Sequence, residues 1–424
     1  MLNKLKPKSE FSRNVLTLMT GTTIAQAIPI AISPILTRIY TPEDFGVFAL
    51  FIAVTSIFGS IANGRYELAI MLPRKDEDAI NIFALGFIIT TFISLVLLVL
   101  IVLFNDYFTQ LLNNEEITIW LYFVPIAVFF TGLFNILNYF NTRKKQYKDL
   151  AKANIIKSII LAIVQLSIGF IKQGASGLIS GQIISQFFAN TKLLSNIIKN
   201  KVLISRISKI KIIALAKRYK DFPKFSMWAI LANTLSLHLT NILISSFYSV
   251  ATLGFYSLVQ KVLGVPSSLI GSSIGQVFFQ EATKEKQETG KAIKTFNKTV
   301  KKLVIVGLPS FGLFYFIVED LFAFVFGEEW RIAGVYAQIV IPLFFIRFVV
   351  ATVSAIDTIM ERQNIFLLFN IVLLLVSLIV IYISKNINFE LFLINYLFGI
   401  GSTYFLYGFI LYKMAKNEFN FGVK

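Results

Sequence analysis

The residues of this sequence with the clearest chemical potential are two bases inside long apolar segments. Lys261 lies within residues 260–266, and Arg347 lies within residues 344–348. A charged side chain at the centre of a bilayer costs about 2.5–3.5 kcal/mol on insertion scales, so it normally faces a watery cavity or a partner. We therefore predict that both are cations facing a cavity. The alternatives are an ion pair between Lys261 and Asp357, and a structural bond from Arg347 to a carbonyl of a neighbouring helix.

Four further polar residues are weaker candidates. Arg38 stands near the outer end of the first apolar segment and is either an interfacial anchor or a cavity residue. Asp357 is the only acid well inside an apolar run, which makes it a candidate for proton coupling. His238 and Asn241 belong to a polar flank of one apolar segment. A single histidine in such a place is more often a hydrogen-bonding partner between helices than a proton relay.

Arg65 and Glu67 form a third kind of candidate, an acid and a base two residues apart near the end of an apolar segment. Two residues at this spacing point to different faces of a helix. The pair is interpreted either as a solvated helix end or as a functional pair. The chain has no cysteine, one histidine and no glycine-rich phosphate loop. We therefore expect no metal site, no nucleotide site and no cofactor.

Composition places these residues in a membrane protein. Of the 424 residues, 56% are hydrophobic, more than a soluble core can bury. The net charge is +17. Basic character can indicate nucleic-acid binding, but here the basic residues lie between apolar runs, where they orient the protein in the membrane. No nucleic-acid partner is therefore expected.

Each membrane span needs roughly 20 apolar residues. The chain contains twelve such segments, which predicts an all-α membrane protein with about twelve transmembrane helices. The predicted spans are Asn14–Tyr40, Pro42–Met71, Ala79–Phe104, Ile117–Phe140, Ala153–Ile171, Gly174–Leu194, Lys224–Tyr248, Thr252–Gln280, Leu303–Phe326, Trp330–Ile359, Gln363–Ser384 and Phe389–Tyr412.

The distribution of Lys and Arg predicts how these spans are oriented. With the N-terminus inside, 34 of the 40 basic residues lie in inner segments and four in outer connections. This bias predicts that both termini are cytoplasmic. The basic connection at about 195–221 is the longest polar one. It divides the chain into predicted six-helix bundles at 1–200 and 201–424.

A stretch that occurs twice indicates that the two bundles are repeats. Residues 36–50 and 244–258 each close an apolar run on a tyrosine, turn over polar residues and restart beside a glycine. The matched pairs are Tyr40 and Tyr248, Gly46 and Gly254, and Leu50 and Leu258. Two halves in the same order are typical of a parallel-repeat transporter. We therefore predict that a pseudo-two-fold axis along the membrane normal relates the bundles.

Several of these runs resemble a known family. Residues 36–50, 64–73 with 75–79, and 260–266 resemble polysaccharide flippases. These are the Wzx-type O-antigen translocases of the multidrug/oligosaccharidyl-lipid/polysaccharide exporter superfamily. The resemblance implies two bundles around a central cavity that admits the headgroup of an undecaprenyl-pyrophosphate-linked glycan. Lys261 resembles a position where related flippases carry a cation, usually Arg. A lysine there implies a point-charge contact with phosphate and not a bidentate one.

The function expected from these observations is a non-enzymatic flippase of the bacterial inner membrane that works by alternating access. Lys261, Arg347 and Arg38 are the expected pyrophosphate-binding residues. Membrane lipid, an H⁺ or Na⁺ counter-ion and other polysaccharide assembly proteins are candidate partners. One alternative is a cation-coupled drug antiporter, which would need several intramembrane acids. The others are a polysaccharide polymerase or ligase, which would need a large outer loop, and a peptidoglycan lipid flippase, which usually has extra spans.

Overall fold

A computed structural model describes residues 10–172 and 174–418 of the chain. Within these ranges almost all residues are helical and no strand occurs. The predicted all-α membrane fold is therefore confirmed. The terminal segments 1–9 and 419–424, which the charge pattern predicts to be cytoplasmic, lie outside the described residues.

The chain forms two compact units, Met1–His238 and Leu239–Lys424. The division falls inside the helix that contains both His238 and Asn241. The predicted six-helix bundles, 1–200 and 201–424, stay a prediction. In the first unit the helices are α1 (Glu10–Ala31), α2 (Ser33–Ile39), α3 (Pro42–Ile61), α4 (Tyr66–Ala69), α5 (Asp76–Leu112), α6 (Ile117–Leu121), α7 (Val124–Arg143), α8 (Tyr147–Ile171), α9 (Ser176–Ile198), α10 (Lys201–Ile204) and α11 (Lys209–Arg218).

A short π-helix, Phe222–Ser226, leads into α12 (Met227–Phe247), which crosses from the first unit into the second. The helices of the second unit are α13 (Val250–Thr289), α14 (Ile293–Phe326), α15 (Arg331–Val353), α16 (Ile356–Ile359), α17 (Gln363–Ser384) and α18 (Phe389–Ala415), with a 3-10 turn at Glu328–Trp330.

Eleven helical segments among the described residues are long and apolar enough to cross a membrane. Helix α9 stands where the sixth span was predicted, but it is not among the eleven. It has the length of a span, and polar residues interrupt its apolar face. Gln186 donates to the Thr131 hydroxyl (3.2 Å) and Asn190 to the Phe130 carbonyl (2.9 Å), both on α7. These side chains hold two helices together, as polar groups do inside membrane bundles.

The repeat predicted from sequence has the same local structure in both units. Thr41 caps α3 by accepting a hydrogen bond from the Asp44 amide, and Ser249 caps α13 by accepting one from the Thr252 amide. The Tyr40 hydroxyl donates to the Gln165 carbonyl in the first unit, at 2.5 Å. In the second unit, the Tyr248 hydroxyl donates to the Ser384 carbonyl over the same distance. Each tyrosine therefore ties the end of its helix to a helix further along its own unit.

The first of these tyrosines lies where two helices approach closely. A methyl group built at Gly169 on α8 or at Gly177 on α9 would collide with the Tyr40 side chain. Small residues at such crossings allow the backbones of membrane helices to approach each other. The tyrosine thus fills the space that the two glycines leave open.

The second predicted span, Pro42–Met71, is not one continuous helix. Helix α3 ends at Ile61, and the chain turns through Gly64 (φ 58°) and Arg65 (φ 64°) before α4 begins. Left-handed backbone costs a non-glycine residue roughly 1–2 kcal/mol. This bend also corrects the prediction that Arg65 and Glu67 point to different faces, because that prediction assumed helical geometry.

Candidate functional site

The buried surroundings of Arg347 form the most developed polar site of the second unit. Arg347 lies on α15, and its guanidinium carbon is 5.4 Å from the ring centre of Phe344 and 5.6 Å from that of Tyr404. Tyr404 also bonds to the guanidinium through its hydroxyl, and Tyr396 and Tyr256 are close enough to interact with its charge. Three tyrosines from two other helices, α13 and α18, therefore surround this cation.

The site continues from the tyrosines to a pair of amides. The Tyr256 hydroxyl is within hydrogen-bonding range of Tyr396 and Gln260. Gln260 and Asn241 exchange two long hydrogen bonds of 3.4 Å. We call Arg347, Tyr404, Tyr396, Tyr256, Gln260 and Asn241 the tyrosine–arginine cluster. It brings together two residues predicted from sequence, Arg347 and Asn241.

The three tyrosines of this cluster were not predicted from the sequence, because tyrosine was counted with the apolar residues. Their spacing carried a signal, since Tyr396 and Tyr404 are eight residues apart on α18, and Tyr256 and Gln260 are four apart on α13. Such spacings place polar groups on one helix face. All three rings are at least nine-tenths buried. A buried tyrosine hydroxyl usually needs a hydrogen-bonding partner.

Arg347 has no carboxylate partner among the ion pairs that join described residues. Each cation–π contact with an aromatic face stabilises a guanidinium by about 0.5–2 kcal/mol. Neither aromatic faces nor hydroxyl groups carry a negative charge, so the positive charge of the guanidinium is not neutralised. The cluster therefore holds a positive charge that is oriented and partly desolvated. This is the electrostatic requirement of an anion site.

Lys261 follows Gln260 directly on α13, and its side chain is half-buried. It takes part in no ion pair between described residues. The alternative of an ion pair with Asp357 is thus absent from the structure. Whether Lys261 faces a cavity stays a prediction.

Asp357 on α16 is only 5% exposed. Its carboxylate accepts hydrogen bonds from the Tyr407 hydroxyl at 3.0 Å and from the amide and hydroxyl of Thr358. The Tyr407 ring stacks on Phe369, with the ring centres 3.9 Å apart and 9° between the planes. Asp357 is therefore a buried acid whose hydrogen-bonding partners among the described residues are neutral donors.

Arg65 and Glu67 come together in the first unit. Arg65 Nη1 lies 3.0 Å from Glu67 Oε1, and Glu67 is 3% exposed. The Arg65 Nε and Glu67 Oε2 atoms are buried without a hydrogen-bonding partner among the described residues. Burial raises the pKa of Glu67, while the charge of Arg65 acts in the opposite direction. The left-handed bend thus produces a compensated charge pair.

The remaining predicted residues stand apart from these clusters. Arg38 is exposed and donates a hydrogen bond to the Pro34 carbonyl one turn earlier on its own helix. His238 is half-buried, and its Nδ1 has no hydrogen-bonding partner among the described residues. A binding role for either residue stays a prediction.

Lys157 was not predicted as a candidate cation, because in the sequence it belongs to the basic residues of an inner segment. It lies inside α8, half-buried, with its ammonium nitrogen 5.5 Å from the ring centre of Phe134. Like Lys261, it takes part in no ion pair between described residues. Each unit therefore contains a lysine without a carboxylate partner inside a long apolar helix.

The long apolar helices, eleven of them able to cross a membrane among the described residues, are those of a multi-pass membrane protein. Known structures share this fold. An inward-facing multidrug resistance transporter of the MATE family, from the MOP superfamily, is 12% identical, with a TM-score of 0.70 and coverage of 94% of each chain. The inward closed form of the lipid II flippase MurJ is 13% identical, with a TM-score of 0.69, and the match covers 96% of this chain and 90% of that one.

The MATE multidrug transporter DinF-BH is similar as well, with 14% identity, a TM-score of 0.62, and coverage of 94% of this chain and 95% of the other. No curated protein sequence matches the chain. The model of the family described as polysaccharide biosynthesis protein matches residues 35–335. The chain therefore belongs to the polysaccharide biosynthesis protein family and has the fold of MATE transporters and MurJ.

Proposed function

We propose that this protein is a flippase that moves an undecaprenyl-pyrophosphate-linked oligosaccharide across the bacterial inner membrane by alternating access. The substrate would be the repeat unit of O-antigen or of a similar surface polysaccharide. Both termini and the connection Ser195–Asp221 would be cytoplasmic. The family match and the flippase among the structural neighbours support this class of function.

The observation that carries the proposal is the unneutralised Arg347 in the tyrosine–arginine cluster. A pyrophosphate group loses several kcal/mol of hydration per charge when it enters a low-dielectric region, and a fixed cation offsets part of that loss. Arg347 would supply a planar donor and Lys261 a point charge. The tyrosine hydroxyls would donate further hydrogen bonds, to phosphate or to the sugar.

The internal charges favour this function over the antiporter alternative. A cation antiporter would use acids to hold its substrate, whereas the acid buried inside the apolar helices of the second unit, Asp357, already accepts hydrogen bonds from Tyr407 and Thr358. We assign Asp357 to coupling, with H⁺ as the ion. We assign the cations Arg347 and Lys261 to the substrate, and no catalytic step is part of the proposal.

The test is complementation of a flippase-deficient strain, scored by surface glycan and by the amount of protein in the membrane. We expect Arg347→Gln to lower surface glycan about tenfold or more, since one charged hydrogen bond contributes about 1.5–3 kcal/mol. Lys261→Ala should also lower it, and Lys261→Arg should retain most activity.

Lys284→Ala is the matched control, because it removes a lysine from the exposed part of the same helix as Lys261. This control should leave surface glycan unchanged. Full activity of both Arg347→Gln and Lys261→Ala at normal abundance would contradict the proposal. Loss of the Lys261→Ala protein from the membrane would instead assign that lysine a structural role.

A further inference from the structure

The basic connection between the sixth and seventh predicted spans contains an amphipathic helix that the transport proposal does not use. Between Ser195 and Lys220 there are eight basic residues and no acidic one. This segment forms α10 and α11 and belongs to the first unit. A cluster of basic residues next to membrane spans is typical of a segment that binds anionic lipids.

One face of α11 is packed on the first unit by specific bonds. Leu215 is 6% exposed, and the backbone carbonyl of its neighbour Ala216 accepts a hydrogen bond from the Tyr66 hydroxyl at 3.0 Å. Lys211 forms an ion pair with Glu77 at 3.0 Å. The Ser208 amide, at the start of the helix, donates to the Asn81 side chain at 2.8 Å. These contacts fix the helix to α4 and to the first turns of α5.

The contacts with α11 lie on one face of α5, and this face continues into an exposed apolar surface. Glu77 and Asn81 are one turn apart, and the same helix face continues at 88, 92, 95 and 99 according to the 3.6-residue period. These positions are exposed apolar residues within a predicted span, namely Ile88 (53%), Phe92 (66%), Leu95 (56%) and Val99 (56%). Helix α11 is therefore packed at the end of α5 where this exposed apolar face begins.

The opposite face of α11 is apolar in its middle and basic around it. Ile210 is 81% exposed, Ile213 is 46% exposed, and Ala214 is exposed beside them. Lys217 lies on the same face, and Lys209 and Arg218 flank it, all three exposed. Apolar residues bordered by lysine and arginine are typical of helices that lie in the plane of a membrane interface.

We propose that α11 is an interfacial helix that binds the headgroups of anionic phospholipids. Ile210 and Ile213 enter the boundary between headgroups and acyl chains, and Lys209, Lys217 and Arg218 contact lipid phosphates. The bilayer is the occupant because α11 is packed at the end of α5 where the exposed apolar face of that predicted span begins. Because the exposed face carries no acid, its charge complements an anionic surface.

The chain has no cysteine, so a single introduced one reports a single position. The full-length protein carrying Ile210→Cys is labelled with a fluorophore and reconstituted in vesicles of phosphatidylcholine, with or without phosphatidylglycerol. We expect strong quenching by spin-labelled lipid and weak quenching by aqueous iodide in the anionic vesicles. Lys291→Cys, in the exposed connection after α13, is the control and should show the reverse.

The charge of the helix is tested in the same background. Replacing Lys209, Lys217 and Arg218 with Gln should weaken the lipid contact of position 210, by about fivefold per charge removed, and only in anionic vesicles. Replacing Lys284, Lys301 and Lys302 removes the same charge from exposed positions of the second unit and should have no effect at position 210.

Three outcomes would overturn the proposal. Equal iodide quenching at positions 210 and 291 in anionic vesicles would mean that the helix faces water. If spin-labelled lipid quenches the fluorophore at position 210 equally with and without phosphatidylglycerol, the helix does not bind anionic headgroups specifically. Protection of position 210 in native membranes but not in vesicles of purified protein would assign the face to a protein partner. None of these measurements depends on transport of a glycan.

Discussion

Single residues of the two units stabilise buried charge in different ways. In the first unit, Arg65 and Glu67 neutralise each other at 3.0 Å. In the second unit, Arg347 is surrounded by aromatic rings and hydroxyl groups, without a carboxylate partner among the described residues. A neutralised pair has little attraction left for a ligand, whereas an unneutralised cation retains it. We therefore expect substitutions of the first pair to affect stability and substitutions of Arg347 to affect transport.

Arg65→Gln should destabilise the protein by about 3 kcal/mol at neutral pH. The substitution leaves the carboxylate of Glu67 buried without its counter-charge, and breaking one side of a buried ion pair costs 3–5 kcal/mol. The lower end applies because Arg65 is 22% exposed. Thermal unfolding of the purified protein in detergent measures the effect. The double variant with Glu67→Gln should recover most of the loss.

The pH dependence of the Arg65→Gln variant has a defined sign. Burial raises the pKa of Glu67 above its ordinary value of 4.5, and removing Arg65 raises the pKa further. A carboxyl with a raised pKa favours the folded state when it is protonated. The difference in stability from the unmodified protein should therefore be largest at neutral pH and shrink as the pH falls towards 4.5. A difference that stays constant with pH would mean that Glu67 carries no buried charge.

At the scale of helices, close packing in the first unit depends on two glycines next to Tyr40. Gly177→Ala should cost about 1–3 kcal/mol, the range for overpacking, because the added methyl group meets the tyrosine hydroxyl. Tyr40→Phe combined with Gly177→Ala should lose less than the sum of the single losses, since the first change removes the colliding atom. Gly312→Ala, where a methyl group meets nothing within 4 Å, is the control for unfolding measurements.

These helix contacts show which features a sequence can predict. The repeated connection was predicted because capping residues and tyrosine ends are local signals, and both reappear as equivalent bonds. The bend after α3 was missed because hydropathy does not register a left-handed residue such as Arg65. The partners of Arg347 were missed because tyrosine was counted with the apolar residues. The spacing of Tyr396 and Tyr404 indicates a polar helix face, but only packing shows that Arg347 lies beside it.

For the whole molecule, the proposed alternating-access transport would couple the movement of the substrate to an energy source. The described residues offer one buried acid suited to this in the second unit, Asp357, held by Tyr407 and Thr358. A carboxylate that accepts bonds from neutral donors can take up a proton without breaking an ion pair. Its protonation would change the hydrogen bond to Tyr407 on α18, and so connect a proton to the packing of two helices.

Asp357→Asn should therefore uncouple transport while the protein still accumulates in the membrane. We expect surface glycan to fall about tenfold, within the usual range of coupling energies, and Asp357→Glu to retain more activity because it can still bind a proton. Tyr407→Phe should give a smaller loss, since it removes one of the hydrogen bonds and keeps the carboxyl group. In vesicles, a proton gradient should stimulate lipid translocation by the unmodified protein and not by Asp357→Asn. Stimulation by a sodium gradient alone would mean that sodium, and not the proton, is the coupling ion. If Asp357→Asn responds to the proton gradient like the unmodified protein, Asp357 takes no part in coupling.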